Sequence, residues 1–323
     1  MHSTYHGRQT RIGYVWRPAL FYALSYTVFA LAVKLSSDGA KAAPAVFTTL
    51  FCVGALPPIL MAIHSGMRRR RQRNGPEIRW SVANFVSGLA TIVIVATTAG
   101  AYLVDGVTIL LALLLMRMGV IMMAPVLDLA FRRHVRPTAW FAFSFCLIAA
   151  MYGLLGQTFA PLKPVSIGIL AAYLIAYAVR LSLMTRQTKD RDRAARGDWF
   201  LVEMVITAVA LSIVAVGAIL ASTQAVQLDI SLSDLPPLVA GVAYGYALVN
   251  GTLIYLDWRE NAYSITINRS ASLISGLAAS LIGFAFFDLG WPASDQWVLA
   301  CLMACALVAL GFETRSTKRR PET

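Results

Sequence analysis

Charge is scarce in this chain, and what there is of it is one-sided. Only 14% of the 323 residues are Asp, Glu, Lys or Arg, with 16 acids against 28 bases. So little charge, beside a hydrophobic fraction of 58%, leaves no room for a sizeable soluble domain. Cysteine and histidine are scarcer, four of each. Cys52, Cys146, Cys301 and Cys305 all fall in apolar stretches with no paired spacing in a loop, which argues against a disulfide frame or a zinc site. Cys301 and Cys305 stand one helical turn apart, a spacing that helix packing explains better than metal. His2, His6, His64 and His134 lie in the amino terminus or in polar connections. No cluster supports redox or metal chemistry, and no cofactor is expected. A Gly-rich phosphate loop is missing too, which argues against an ATP motor. Met1–Arg17 is polar and the apolar stretch after it has no small-residue cleavage site, so that stretch reads as a retained anchor.

What the chain does have is ten apolar stretches, at about 17–35, 44–63, 81–104, 107–130, 137–155, 165–185, 199–220, 235–256, 262–287 and 295–312. A hydrocarbon core of about 30 Å needs roughly 20 apolar residues per helix. The expectation is an all-α integral membrane protein with ten transmembrane helices. Twenty-two of the 28 basic residues fall in the two termini and in the connections after spans 2, 4, 6 and 8. By the positive-inside rule both termini are then cytoplasmic, in the inner membrane. The opposite connections hold only Lys34, Lys41 and Lys163 among the bases, and carry Asp229, Asp234, Asp288 and Asp295. The net charge of +12 does not point to nucleic acid, because Arg68–Arg71 with Arg73, and Lys189 with Arg191, Arg193 and Arg196, sit in inner loops. There they fix topology and meet anionic lipid headgroups, at roughly 1 kcal/mol for each nearby base.

Ten spans divide into two sets of five, and five is odd, so the sets lie upside down relative to each other. Inverted repeats of this kind are a common transporter plan, with the site near the midplane between the halves. The division is an amino-terminal segment 1–16, a first repeat 17–155, a second repeat 156–312 and a basic tail 313–323. Span 4 reads LLLMRMGVIMMAPVLDLAF and span 9 reads SITINRSASLISGLAASLIGF. Each has one arginine partway in, then small residues, a short hydrophilic turn and a tryptophan in the opening of the next span: Trp140 after Arg117, Trp297 after Arg269.

Extended through the ends of both halves, the two copies are RMGVIMMAPVLDLAFRRHVRPTAWFAFSFCLIAAMYGLL and NRSASLISGLAASLIGFAFFDLGWPASDQWVLACLMACALVAL. On these segments the chain resembles the EamA-type members of the drug/metabolite transporter superfamily, over most of residues 17–312. It departs from them at the ends of spans 4 and 9, which read AFRR and FFDL where the family often has glutamate. It also lacks the family's tryptophan–glycine pair in ALFYALSYTVFALAVKL of span 1. The resemblance implies a central cavity lined by spans 1, 3, 4, 6, 8 and 9, with spans 5 and 10 peripheral. Spans 5 and 10 are nearly free of polar residues. Spans 8 and 9 are not: Tyr244, Tyr246, Asn250, Thr252 and Tyr255 lie on one, and Asn268, Arg269, Ser270, Ser272, Ser275 and Ser280 on the other.

Arginine at the centre of a bilayer costs about 2.5–3.5 kcal/mol on insertion scales and commonly faces a partner or a wet cavity. At 1.5 Å per residue, Arg117 lies roughly 15 Å from the outer end of its helix and Arg269 roughly 10 Å from the inner end of its own. Inverted repeats would bring the two together, and a pair of guanidinium forks suits a carboxylate or phosphate. Pairing with a helix-end carbonyl or an internal acid is the competing role for either. Asn268, Ser272, Tyr244 and Asn250 complete the candidate substrate-binding set. Arg180 and Glu203 read as a packing salt bridge, and Asp128 with Arg132 as an ordinary i,i+4 pair. Lys34 reads as an interfacial anchor or gate; Pro57, Pro58 and Pro125 read as kinks. Arg269, Ser272, Gly276, Ser280 and Gly283 form one stripe of small and polar residues, serving either close helix approach or substrate room.

The function these features favour is a secondary, alternating-access transporter for a small or amphiphilic solute bearing a carboxylate or phosphate, and not an enzyme. Its partners would be a small-molecule or lipid-like anionic solute, membrane lipids and, through spans 5 and 10, a second copy in a homodimer; no nucleic acid is expected. The alternative is a membrane-embedded transferase for lipid or isoprenoid phosphates, with Asp190, Asp192 and Asp198 holding a metal. Their interleaved Lys189, Arg191 and Arg193 count against it. A scaffold role within a larger complex is a third possibility.

Overall fold

A computed structural model describes residues 15–38, 51, 53–71, 80–103, 109–130, 137–155, 163–188, 193–221, 235–256 and 261–316. Among these residues all regular structure is helical. The helices are α1 (Trp16–Asp38), α2 (Leu56–Arg71), α3 (Val82–Leu103), α4 (Ile109–Ala130), α5 (Pro137–Leu155), α6 (Pro164–Thr188), α7 (Arg193–Ala221), α8 (Leu235–Tyr255), α9 (Asn261–Phe287) and α10 (Ser294–Ser316). Seven of them, α1, α3, α4, α6, α7, α8 and α9, are long and apolar enough to cross a membrane; α2, α5 and α10 contain shorter apolar runs at Leu56–Met67, Trp140–Tyr152 and Ser294–Ala309.

Local chemistry sets several helix ends. Pro137 and Pro164 open α5 and α6, where a missing N–H costs nothing. Ser81 caps α3: its hydroxyl accepts the Asn84 N–H at 3.3 Å and donates to the Asn84 side-chain oxygen at 2.6 Å. Pro57 and Pro58, expected as kinks, sit in the first turn of α2 just after a turn at Ala55, whereas Pro125 lies inside α4. The chain leaves α9 through Asp288 at φ 52°, which lets the Leu289 N–H reach the Gly283 carbonyl at 3.2 Å.

Polarity is inverted relative to a water-soluble protein. Leu20, Phe21, Leu24, Phe141, Ile148, Ile175 and Ile213 are exposed, while Arg117, Arg180, Glu203, Asn268 and Arg269 are buried. An apolar surface this extensive, around a polar heart, belongs in contact with hydrocarbon.

The packing has a simple regularity. Helix α1 lies along α8 and α9, as α6 lies along α3 and α4; α3 touches α7 as α8 touches α2; α4 packs on α5 as α9 packs on α10. The pairs α2–α7, α4–α9 and α5–α10 meet across the middle. Advancing every helix number by five carries each of these pairs onto another or onto itself. Lighter contacts, such as α1 with α3 and α4 with α10, are not matched to the same extent. Helices α5 and α10 join α4 and α9 in a separate apolar cluster built on Leu114, Met118, Cys146, Leu273 and Met303. The main core gathers the other helices around Tyr22, Tyr26, Phe29, Tyr173, Tyr177, Tyr244 and Tyr255. The small stripe of α9 permits this closeness: a Cβ on Gly276 would run into the Leu113 side chain of α4. One residue earlier, the Ser275 hydroxyl donates to the Ala23 carbonyl of α1 at 2.9 Å.

Candidate functional site

Two charged groups meet at the centre, and they differ in how their charge is met. In the first, Arg180 of α6 donates through Nε to Glu203 Oε1 of α7 at 2.8 Å, the pairing the sequence suggests. Its Nη2 donates to the Thr252 hydroxyl of α8 at 2.7 Å. Glu203 is fully buried. Its Oε1 also accepts from Ser87 at 3.2 Å and Thr91 at 3.3 Å on α3, and Oε2 accepts from Trp199 Nε1 at 3.0 Å. A buried ion pair repays its desolvation only when the remaining lone pairs are used, and here three further donors use them.

The second group has no acid. Arg117 of α4 and Arg269 of α9 are 2% and 0% exposed, and neither has a carboxylate partner among the described residues. Hydroxyls and rings hold them instead. Arg117 Nη2 donates to the Tyr22 hydroxyl at 3.4 Å and its guanidinium carbon stands 5.0 Å from the centre of the Tyr26 ring. Arg269 Nη1 donates to the Tyr173 hydroxyl at 3.4 Å and its guanidinium stands 4.7 Å from the Tyr177 ring. Each arginine is the ninth residue of its helix, and each is received by a tyrosine pair four residues apart, YALSY on α1 and YLIAY on α6. That spacing puts both rings of a pair on one face of the helix. Such cation–π contacts supply about 2 kcal/mol when desolvated.

Two further bonds break the correspondence. Arg117 Nη1 donates to Tyr173 at 2.7 Å, and Arg269 Nη2 donates to the Tyr255 hydroxyl of α8 at 2.6 Å; Tyr255 in turn donates to Asn268 Oδ1 at 3.0 Å. Tyr173 thus accepts from both arginines. Their terminal nitrogens then lie within about 6 Å, where two unit charges repel by roughly 3 kcal/mol at an effective dielectric near 20. The Nε of each guanidinium has no hydrogen-bond partner among the described residues. Beside this cluster is a cavity of ≈ 30 Å³, room for a water or two, lined by Tyr22, Tyr26, Arg117, Tyr177, Arg180 and Asn268 among others.

Of the residues singled out in the sequence, Arg117, Asn268, Tyr244 and Arg180 line this cavity, and Arg269 stands behind its wall, bonded to Tyr255 of the lining. Tyr244 lines it and sets its ring 4.4 Å from that of Phe29. Ser272 is buried and turns its hydroxyl to the Arg269 carbonyl at 3.0 Å, and Asn250 donates to the Tyr246 carbonyl of its own helix at 2.8 Å. Neither lines the cavity. Lys34 is half-buried towards the end of α1, and Pro125 is buried in α4 away from the lining. Asp190 and Asp192 lie outside the described residues, as do Lys189, Arg191 and Arg132, and nothing is described of the side chain of Arg193. The sequence reading passed over the tyrosines of α1 and α6 and the collar of Ser87, Thr91 and Trp199 around Glu203. The repeated Y-x3-Y was the signal that could have found the tyrosines. No protein-family model matches the chain, and no curated protein matches it.

Proposed function

We propose that the chain is a secondary transporter that carries a small or amphiphilic solute by alternating access, gripping a carboxylate or phosphate between Arg117 and Arg269. The single observation that carries this reading is the pair of buried guanidiniums that share the Tyr173 hydroxyl and have no carboxylate partner among the described residues. Arginine holds its charge in proteins, and its fork matches planar anionic groups. An anion arriving between the two offsets their mutual repulsion and puts an anionic acceptor in place of neutral hydroxyls. Arg180, neutralised by Glu203, belongs to the wall of the cavity.

The proposal includes ten spans in two inverted five-helix repeats, an inner-membrane setting with both termini cytoplasmic, and the likeness to EamA-type transporters. Three observations support the repeats: the five-helix regularity of the packing, the matching places of Arg117 and Arg269 in α4 and α9, and the tyrosine pairs of α1 and α6. Inverted repeats place a solute site where the halves meet, and both halves contribute to this cluster. In a homodimer the exposed outer faces of α5 and α10, with Phe141, Ile148 and Val308, would form the contact.

The test is a ligand panel on detergent-purified protein, read by thermal unfolding, because a ligand that binds only the native state raises its apparent stability. Carboxylates, phosphates and organic cations are compared on the wild type, Arg117→Ala and Arg269→Ala, and binders are followed by uptake into proteoliposomes. Stabilisation by anions that both variants lose, with uptake of the same anion, supports the proposal. Stabilisation by cations alone rejects it.

A further inference from the structure

We infer that the anion read by Arg117 and Arg269 is a single doubly charged phosphoryl group, as in a phosphate monoester, rather than a carboxylate. The inference rests on the proposed transporter site and names its substrate class. Charge comes first. Three guanidiniums and one carboxylate meet around the cavity, and the carboxylate is committed: Glu203 accepts from Arg180, Ser87, Thr91 and Trp199. Two positive charges are left. A carboxylate or sulfonate would cancel one of them and leave the other buried; a phosphoryl dianion cancels both.

Geometry then separates one group with two charges from two groups with one charge each. Both guanidiniums point at one oxygen atom, the Tyr173 hydroxyl, at 2.7 and 3.4 Å. This neutral oxygen occupies the place where an anionic oxygen gains most, because it faces two cations at once. Guanidiniums this close share neighbouring oxygens of one phosphorus centre; two separated carboxylates would hold them further apart. The rings of Tyr26, Tyr177 and Tyr244 wall the cavity and lower the dielectric around the charges. Asn268 and the Tyr22 hydroxyl also line it and can donate to further oxygens.

The test compares short-chain anions that differ in the charge of the head group. Butyl phosphate, butanesulfonate and butyrate are titrated into the purified full-length protein at pH 8 and at pH 5.5, with binding read by calorimetry. Dihexanoyl phosphatidic acid below its micellar concentration forms a further arm, which separates a lipid phosphate from a soluble one. The second phosphate ionisation falls near pH 6, so butyl phosphate is a dianion at the higher pH only. The expected result is butyl phosphate binding at least about 30-fold more tightly than butanesulfonate at pH 8, with most of that advantage gone at pH 5.5. Arg117→Gln and, independently, Arg269→Gln leave one charge and should bring phosphate and sulfonate to within about threefold of each other. Tighter binding of phosphatidic acid than of butyl phosphate assigns the group to a lipid; the reverse assigns it to a soluble ester. Sulfonate or butyrate binding as tightly as phosphate in the wild type overturns the inference and leaves the anion site standing. Failure of every anion to bind overturns both.

Discussion

Two clusters of buried arginine lie side by side, and one is finished while the other is not. Around Arg180 and Glu203, α3, α6, α7 and α8 each supply a partner, and the charge is cancelled by a carboxylate with four donors on it. Around Arg117 and Arg269 the same low-dielectric surroundings hold two like charges on tyrosine hydroxyls and ring faces. A protein selected for stability alone would finish both. The completed pair behaves as architecture, tying α6, α7 and α8 to α3. The uncompleted pair keeps repulsion and unmet N–H groups that a bound anion can relieve. The same residue type thus serves two ends, and what separates them is whether a carboxylate lies in reach.

The comparison breaks most visibly at Glu203. Glu203→Gln leaves Arg180 charged and unpaired, and removing one partner of a buried pair costs about 3–5 kcal/mol. The expected outcome is a large fall in the thermal unfolding temperature in detergent. Arg180→Met combined with Glu203→Gln should recover part of that loss, because the stranded charge is gone. A double variant as unstable as the sum of the two single ones would mean that Glu203 acts through Ser87, Thr91 and Trp199 rather than through Arg180. In the other cluster the sign reverses. Arg117→Gln or Arg269→Gln removes roughly 3 kcal/mol of repulsion along with its hydrogen bonds, so stability should hold steady or rise. Anion binding should fall about 100-fold, near 3 kcal/mol. Loss of stability without loss of binding would erase the distinction between the two clusters.

How much of this was legible in the sequence depends on how conspicuous each residue is against its surroundings. Arg117, Arg180, Arg269 and Glu203 interrupt apolar runs, and a charge inside such a run needs a reason. The helices were legible for a related cause: length and apolarity alone set them apart, although α2, α5 and α10 hold shorter apolar runs than the spans expected there. The tyrosines were not conspicuous. An aromatic pair at i,i+4 reads as ordinary core packing, and only the reach of Arg117 from α4 and of Arg269 from α9 turns those rings into cation supports. Tyr173 is the extreme case. Its role as acceptor for two arginines exists only where α4, α6 and α9 meet, and no single helix carries a mark of it. The stripe on α9 left two readings open, and Gly276 against Leu113 favours close helix approach at that point.

Tyr173→Phe sharpens the comparison within the uncompleted cluster. The substitution keeps the ring and removes the oxygen that both guanidiniums address. Leaving buried donors without an acceptor costs about 1–3 kcal/mol, and the two charges lose the dipole between them. The expected fall in unfolding temperature is smaller than for Glu203→Gln but clear, and added phosphate should restore most of it by taking the vacated place. Tyr246→Phe, on the exposed side of α8, serves as the control and should change stability by less than about 0.5 kcal/mol. If phosphate fails to rescue Tyr173→Phe, then the hydroxyl is itself part of the grip on the anion and not a stand-in for it.

The smallest expected effect is at Asn250, and it fixes the edge of the site. By type and position this residue looks like a substrate contact: polar, on α8, one turn from Tyr246 and two residues before Thr252. In the structure its amide is occupied by the Tyr246 carbonyl at 2.8 Å, and it does not line the cavity. Asn250→Ala should therefore change stability by less than about 0.5 kcal/mol and leave anion binding where it was, measured alongside Arg269→Gln on the same preparation. A tenfold loss of binding at Asn250 would show that α8 turns to bring this face inward when the anion binds. The site would then be larger than the one closed around Tyr173, and the boundary between finished and unfinished clusters would have to be redrawn along α8 rather than between α6 and α4.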